Sequence, residues 1–98
     1  MVNEAPIATG IDWVRPNPFT VSTALSFSLA GAGHVKVEVF DVTGQRVAQV
    51  MNRMLPPGRH DARWDGRASN GRSVANGIYY LRVESAGLNG TRKIVKVE

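Results

Sequence analysis

The chain contains no cysteine, which excludes disulfide bonds and thiolate metal ligands. It has no apolar run near the ~18 residues that a membrane-spanning helix needs, so no membrane insertion is expected. Residues 1–10 lack the basic start and apolar stretch of a signal peptide, and a signal for export would therefore lie upstream. Nowhere do apolar residues keep a helical period for three turns. At 98 residues, the chain has the length of one domain.

Charge of one sign is only modestly in excess, with a formal net charge of +4. Such a charge permits binding to nucleic acid, acidic glycans or anionic surfaces. The arginines are densest between residues 53 and 72, but Asp61 and Asp65 interrupt them, and no aromatic residues alternate with them as in proteins that stack on bases. We interpret this stretch as a solvated arginine-rich face and expect no nucleic-acid partner.

The residues that are present alternate as strands do. Val35, Val37 and Val39 alternate with Lys36 and Glu38, the pattern of a strand with one buried and one solvent face. Glycine, asparagine, aspartate and proline separate such runs, as turn residues do. The predicted strands cover residues 13–14, 23–29, 35–39, 46–51, 59–64, 78–84 and 91–97, with Asn89-Gly90 as the last turn.

Seven short strands at this spacing predict an all-β fold, a two-sheet antiparallel sandwich of the immunoglobulin or fibronectin III type. Residues 12–98 are predicted to form the domain, and residues 1–11 a flexible segment or linker. Pro16 and Pro18 place the first strand at a sheet edge, because proline donates no ladder hydrogen bond. Period-2 alternation predicts a core of Leu25, Phe27, Val35, Val37, Val39, Trp64, Tyr79, Leu81 and Val83, with Trp64, Tyr79 and Leu81 as its markers.

No catalytic arrangement is apparent, and neither an enzyme nor a cofactor is predicted. The serines show no nucleophile-elbow spacing, and the two histidines, His34 and His60, each fall where a surface imidazole normally lies. His60 and Asp61 are neighbours on one strand, so their side chains point to opposite faces and cannot form a His–Asp pair.

Two further constellations have both a functional and a structural interpretation. Asp65, Ser69 and Asn70 are weak candidates for a calcium loop, but the loop lacks EF-hand spacing and contains Arg67, so turn chemistry explains it better and no metal is predicted. Trp64 and Tyr79 could form a sugar-stacking platform, yet they lie on the faces assigned to the core. The remaining aromatic candidates, which would cap a sheet or dock a neighbouring domain, are Trp13, Phe40 and Tyr80.

Several motifs together resemble one known family. Residues 16–19, Pro-Asn-Pro-Phe, and the following alternating strand resemble the opening of the immunoglobulin-like module first described in the flagellar hook-capping protein. The C-terminal sorting domains of type IX secretion cargo share this opening. The resemblance covers residues 13–97 in order, although Thr20-Val21 replaces the usual Asn-Pro and residues 69–70 form a variable loop. The other matching stretches are residues 37–47, 55–60, 64–67, 71–82 and 91–95.

This resemblance implies a non-catalytic C-terminal module of a larger exported protein, secreted or at the cell surface, that serves secretion sorting or surface attachment. Its partners would be the adjacent domain of the parent protein and the secretion machinery. Other hypotheses are a passive spacer or packing domain beside an enzyme, a hook-cap-like assembly domain, and a carbohydrate-binding module. Fold alone does not decide between them.

The final hairpin, residues 78–97, is predicted to carry the recognition surface. Its last strand is expected at a sheet edge, where unpaired backbone groups can accept a partner strand. The lysines of this strand would present charge to an acidic receptor, or would serve only to protect the edge from aggregation. The predicted surface comprises Lys93, Ile94, Val95 and Lys96.

Overall fold

Two antiparallel sheets face each other in the computed structural model, which describes residues 8–98. A three-stranded sheet has the order β1-β2-β5, and a four-stranded sheet has the order β4-β3-β6-β7. None of the described residues forms a helix that is long and apolar enough to cross a membrane. The strands are β1 (Gly10–Arg15), β2 (Thr23–Leu29), β3 (Gly33–Phe40), β4 (Arg46–Leu55), β5 (Gly58–Trp64), β6 (Gly77–Ser85) and β7 (Leu88–Lys96).

The sandwich predicted from the alternation is confirmed, and strand β2 has the predicted bounds. Strand β4 continues four residues beyond its predicted end, to Leu55, and pairs with β3 along its length as the predicted hairpin. Strand β1 begins at Gly10, two residues before the predicted domain boundary. The predicted N-terminal linker, residues 1–11, lies outside the described residues as far as residue 7.

The last turn was predicted wrongly. The chain reverses at Ala86 and Gly87, where Gly87 has a φ of 80°, a conformation that glycine adopts without strain. Gly90 instead lies inside β7 and pairs with Val83. A Cβ at Gly90 would stand 2.7 Å from Cδ1 of Ile11, so this glycine allows β1 to pack closely against β7.

The core lies between the two sheets. All nine residues predicted for it are buried, because the inward faces of β2, β3, β5 and β6 meet there. Three large residues outside the predicted core are also fully buried, namely Phe19 from the segment between β1 and β2, Leu29 from β2, and Ile94 from β7. Glu38, on the outer side of β3, is shielded from solvent and pairs with Arg46 at 2.9 Å.

Three aromatic side chains form a chain at one end of the sandwich. The ring of Trp64 lies 5.6 Å from that of Phe19 and 5.5 Å from that of Tyr79, in tilted arrangements that aromatic pairs prefer. The Trp64 indole donates to the carbonyl of Arg67, and the Tyr79 hydroxyl donates to the carbonyl of Ala75. Because burial, aided by the charge of Asp41, disfavours its ionised form, the pKa of Tyr79 is raised. The aromatic chain thus holds the long loop between β5 and β6 against the core.

Candidate functional site

Strand β7 lies at the outer edge of its sheet, where the recognition surface was predicted. In its C-terminal half, however, four outward backbone groups are already paired, namely the carbonyls of Lys93 and Val95 and the N–H groups of Val95 and Val97. The Phe19 N–H donates to the carbonyl of Val95, and the Val97 N–H donates to the carbonyl of Phe19, both at 2.9 Å. We call residues 17–19, which run along this edge, the edge strap.

The side chain of Asn17 extends the edge strap by the equivalent of one more peptide group. Its Nδ2 donates to the carbonyl of Lys93 at 2.9 Å, and its Oδ1 accepts from the N–H of Val95 at 3.0 Å. Pro16 and Pro18 on either side of it have no N–H to offer a further strand. The expectation of unpaired backbone groups on the last strand is therefore wrong for its C-terminal half, where the edge strap already occupies these groups.

The four predicted recognition residues differ in what their side chains do. Ile94 is 0% exposed and belongs to the core. The Lys96 ammonium donates to the carbonyl of Val74, and its aliphatic chain packs over Gly66, which holds the long loop in place. Val95 is half-buried, so only the Lys93 side chain extends fully into solvent. That this strand recognises a partner stays a prediction, but of the four predicted side chains only that of Lys93 is exposed for a partner to contact.

The oxygen atoms of the weak calcium candidates are engaged in local turns. Asp65 Oδ1 accepts from the N–H of Arg67, and Asn70 Oδ1 accepts from the N–H of Arg72. The Ser69 hydroxyl faces the carbonyl of Val47 at 3.5 Å. Within residues 8–98 there is no group of three or more His, Cys, Asp or Glu side chains placed to hold a metal ion.

The histidines and the core aromatics have structural surroundings. His60 Nε2 lies 2.7 Å from the carbonyl of Pro56, and its ring packs near Phe27. In the described part of the chain, neither His60 nor His34 hydrogen-bonds to a serine or a carboxylate. Trp64 is 3% exposed and Tyr79 is also buried, so neither ring is accessible to a sugar.

The outer face of the four-stranded sheet carries a row of aromatic and basic residues. Phe40 of β3 pairs directly with Tyr80 of β6, which pairs in turn with Lys93 of β7. On the other side Phe40 pairs with Arg46 of β4. We call these four residues the outer row. A shallow hollow of about 330 Å³ lies beside it, lined by Phe40, Asp41, Val42, Gly44, Tyr80, Arg82 and Thr91.

Asp41 shapes the turn beside the outer row. Its Oδ1 accepts hydrogen bonds from the Thr43 hydroxyl at 2.6 Å and from the N–H groups of Thr43 and Gln45. These bonds favour the ionised carboxylate, and the pKa of Asp41 is lowered, chiefly by the Thr43 hydroxyl. These bonds hold the turn next to Phe40 and Arg46, the two residues of the outer row that this hairpin contributes.

A second concavity lies between residues 48–50 of β4 and the loop that follows β5. Its volume is about 530 Å³, and we call it the edge cleft. Sequence reasoning missed it because β4, the end of β5 and the loop contribute residues that are distant along the chain. The residues that line it include Gln49, Val50, Arg63, Asp65, Arg67 and Ser69.

Comparison with known protein families shows to which family the chain belongs. The family model for the FlgD Ig-like domain matches residues 17–88, from the edge strap to the start of β7. The chain belongs to the FlgD Ig-like domain family. Domains of the FlgD Ig-like type are typically non-catalytic. The match confirms the family resemblance read from the sequence motifs.

Two solved structures share the FlgD Ig-like fold of this chain. One is PorZ, an essential bacterial surface component of the type IX secretion system of Porphyromonas gingivalis, with a TM-score of 0.59 and 18% identity over 90% of this chain and 11% of that chain. The other is the Pseudomonas fluorescens alkylpurine DNA glycosylase AlkC, bound to DNA containing an abasic site analog, with a TM-score of 0.54 and 17% identity over 93% of this chain and 29% of that one. At such identities the likeness shows the fold alone. No curated protein sequence matches the chain significantly.

Proposed function

We propose that this domain is a non-catalytic module of a larger exported protein and acts by being recognised, either for secretion sorting or for attachment at the cell surface. The observation that carries the proposal is the match to the FlgD Ig-like family over residues 17–88. The likeness to PorZ supports it, because there the same fold makes up 11% of a surface component of the type IX secretion system. AlkC also carries the fold as a minor part of a longer chain.

The geometry favours recognition through side chains on the outer row. Since the edge strap occupies the backbone of residues 93–97, a receptor cannot add a strand there. Lys93 is exposed, stands directly beside Tyr80 and has no ion pair within the described residues. A cation next to an aromatic surface suits an acidic receptor, because the aromatic supplies contact area and the charge supplies orientation.

An export assay tests this proposal. The full 98-residue chain is fused to a reporter that bears a periplasmic signal, and the fusion is expressed in a host competent for type IX secretion. We expect the fusion to reach the surface or medium and the reporter alone to remain in the periplasm. A folded fusion that stays in the periplasm would contradict the sorting function.

Matched charge reversals locate the recognition surface in the same assay. Lys93→Glu should reduce export, because it reverses the exposed charge of the outer row. Arg72→Glu makes the same change in net charge on the loop after β5, where the guanidinium forms no ion pair among the described residues, and it should leave export unchanged. Equal losses in both variants would show that net charge, and not the outer row, matters.

A second candidate function is that of a packing domain against a neighbouring domain of the parent protein. The apolar surface around the outer row favours it, since Val42 is 67% exposed and Ile78 is 41% exposed beside half-buried Phe40 and Tyr80. Tyr80→Glu would then lower the melting temperature of the parent protein more than that of the isolated domain. Equal shifts in the two proteins would argue against such packing.

A further inference from the structure

The outer edge of β4 has unpaired backbone groups, whereas the edge strap covers the C-terminal half of the outer edge of β7. The hydrogen bonds of the edge strap show that Val95 and Val97 direct their backbone groups away from the sheet. Antiparallel pairing alternates this direction from residue to residue. This alternation can be followed across the sheet through the pairs Ile94–Tyr79, Phe40–Tyr80 and Val37–Met51. It directs the backbone N–H and C=O groups of Met51 and Arg53 toward β3. The backbone groups of Asn52 and Met54 point away from the sheet.

One independent contact agrees with this assignment. The same alternation makes Ala48 face β3 and Val47 point outward, and the Val47 carbonyl does accept a hydrogen bond from the N–H of Ser69 at 3.1 Å. Beyond Val47, no loop of residues 8–98 makes a backbone hydrogen bond to β4. Register shifts interrupt the first half of the strand, but Met51 to Leu55 pair regularly with β3. A regular edge of five residues, with the outward groups of Asn52 and Met54, is therefore available.

The surroundings of this edge are basic. Arg63, which lines the edge cleft, donates to the Ser22 hydroxyl at 3.0 Å and has no carboxylate partner among the described residues. Arg67 lies 3.9 Å from Asp65, which is the only acidic residue that lines the cleft. Arg53 on β4 is exposed. These three arginines outnumber Asp65 in the cleft and exposed Asp61, which shares a face of β5 with Arg63, and they leave a small excess of positive charge near the open edge.

We infer that the open edge of β4 accepts an extended, acidic polypeptide segment of a partner by strand addition. The segment would hydrogen-bond to the outward backbone groups of Asn52 and Met54, and its carboxylates would meet the arginines of the edge cleft. A second copy of the chain is a poorer occupant, because pairing β4 with β4 brings Arg53 and the arginines of the edge cleft near the same residues of the other copy, against like charge. This surface is separate from the outer row, so the inference does not depend on the sorting function.

A peptide titration followed by NMR tests the inference. The probe is a nine-residue peptide that alternates valine with glutamate, and the matched control has lysine at each glutamate position. With the glutamate peptide, we expect the amide signals of Asn52 and Met54 to shift and their hydrogen exchange to slow, with weaker binding at high salt. The lysine peptide should leave them unchanged. Equal binding of both peptides, shifts confined to the outer row, or dimerisation of the chain through β4 would each overturn the inference.

Two substitutions separate backbone pairing from charge. Met54→Pro removes an outward N–H that the sheet does not use, and it should abolish slowed exchange at this edge. Should that proline disturb β4, a peptide with N-methyl groups on one edge provides the same test without changing the domain.

Arg63→Glu should weaken binding of the glutamate peptide about tenfold. Arg92→Glu, on the opposite edge strand, should weaken it less than about twofold. Equal effects of the two reversals would contradict a role for the edge cleft.

Discussion

Trp64 combines a packing role with a loop-holding role in a single residue. Its ring fills the space between Phe19 and Tyr79, and its indole N–H bonds to the carbonyl of Arg67 at the start of the long loop. The same loop is held from the other side by Lys96, which donates to Val74. The position of the loop, and with it one wall of the edge cleft, therefore depends on these few side chains.

Replacing Trp64 by alanine should unfold the domain much more readily. We expect Trp64→Ala to lower the free energy of unfolding by about 3–5 kcal/mol, because it leaves a large cavity between two aromatic rings. This is a large share of the roughly 5–15 kcal/mol that such domains possess. Chemical denaturation measures the change. Trp64→Phe is the matched control, since it keeps a ring but loses the indole hydrogen bond, and its cost should be clearly smaller. A loss below about 1 kcal/mol for Trp64→Ala would contradict the central role of this residue.

The burial of Trp64 could be predicted from the sequence, and that of Ile94 could not. In β5, Ala62 and Trp64 alternate with exposed Asp61 and Arg63, so the inward face is readable. In β7, the residues two positions before and after Ile94 on the same face are Arg92 and Lys96. Because basic residues stand on both sides of Ile94 on this face, the sequence shows no run of apolar residues that would mark the face as buried. Lys96 can occupy this face because its aliphatic stem packs on Gly66 while its ammonium reaches a carbonyl.

At the scale of elements, the edge strap shows what strand patterns leave out. The prolines correctly placed β1 at a sheet edge, but the segment that they flank closes the edge of a different strand, β7, in the other sheet. The bonds of Asn17 span 76 and 78 residues of sequence and run through a side chain, for which alternation gives no signal. The last turn was misplaced for a related reason, since Gly90 serves a close approach to Ile11 that only the tertiary structure reveals.

Removing the Asn17 amide should open the β7 edge locally. Asn17→Ala loses two hydrogen bonds, and at about 0.5–1.5 kcal/mol each the free energy of unfolding should fall by about 1–3 kcal/mol. The amide hydrogen of Val95 should exchange faster, while amides in β3 stay protected. Asn17→Asp is the control that keeps the acceptor for Val95 and loses the donor to Lys93. Unchanged exchange at Val95 in Asn17→Ala would show that the edge strap does not depend on this side chain.

For the molecule as a whole, the two outer edges of the four-stranded sheet, those of β7 and β4, differ in how far their backbone groups are paired. The C-terminal half of one edge is covered by the edge strap, which protects these residues of β7 from pairing with other chains. The other edge is open beyond Val47 and lies beside a basic cleft. Within this sheet, covering part of one edge limits unwanted assembly, while the edge of β4 could still accept a defined partner.

Calcium should not stabilise this domain, because its loop oxygens are already engaged in turns. Asp65 and Asn70 accept from neighbouring N–H groups, and Arg67 adds positive charge beside them. A ligand that binds only the folded state must raise its melting temperature. Even a weak site, with a Kd of about 1 mM, would add about 1.4 kcal/mol at about 10 mM calcium. That gain corresponds to a rise of about 5 °C or more in the melting temperature of a domain of this size, which a thermal melt detects easily.

We therefore expect the same melting temperature with calcium, without calcium, and with magnesium as the ionic control. A rise with calcium alone that Asp65→Asn abolishes would make the loop after β5 a metal site and overturn this interpretation.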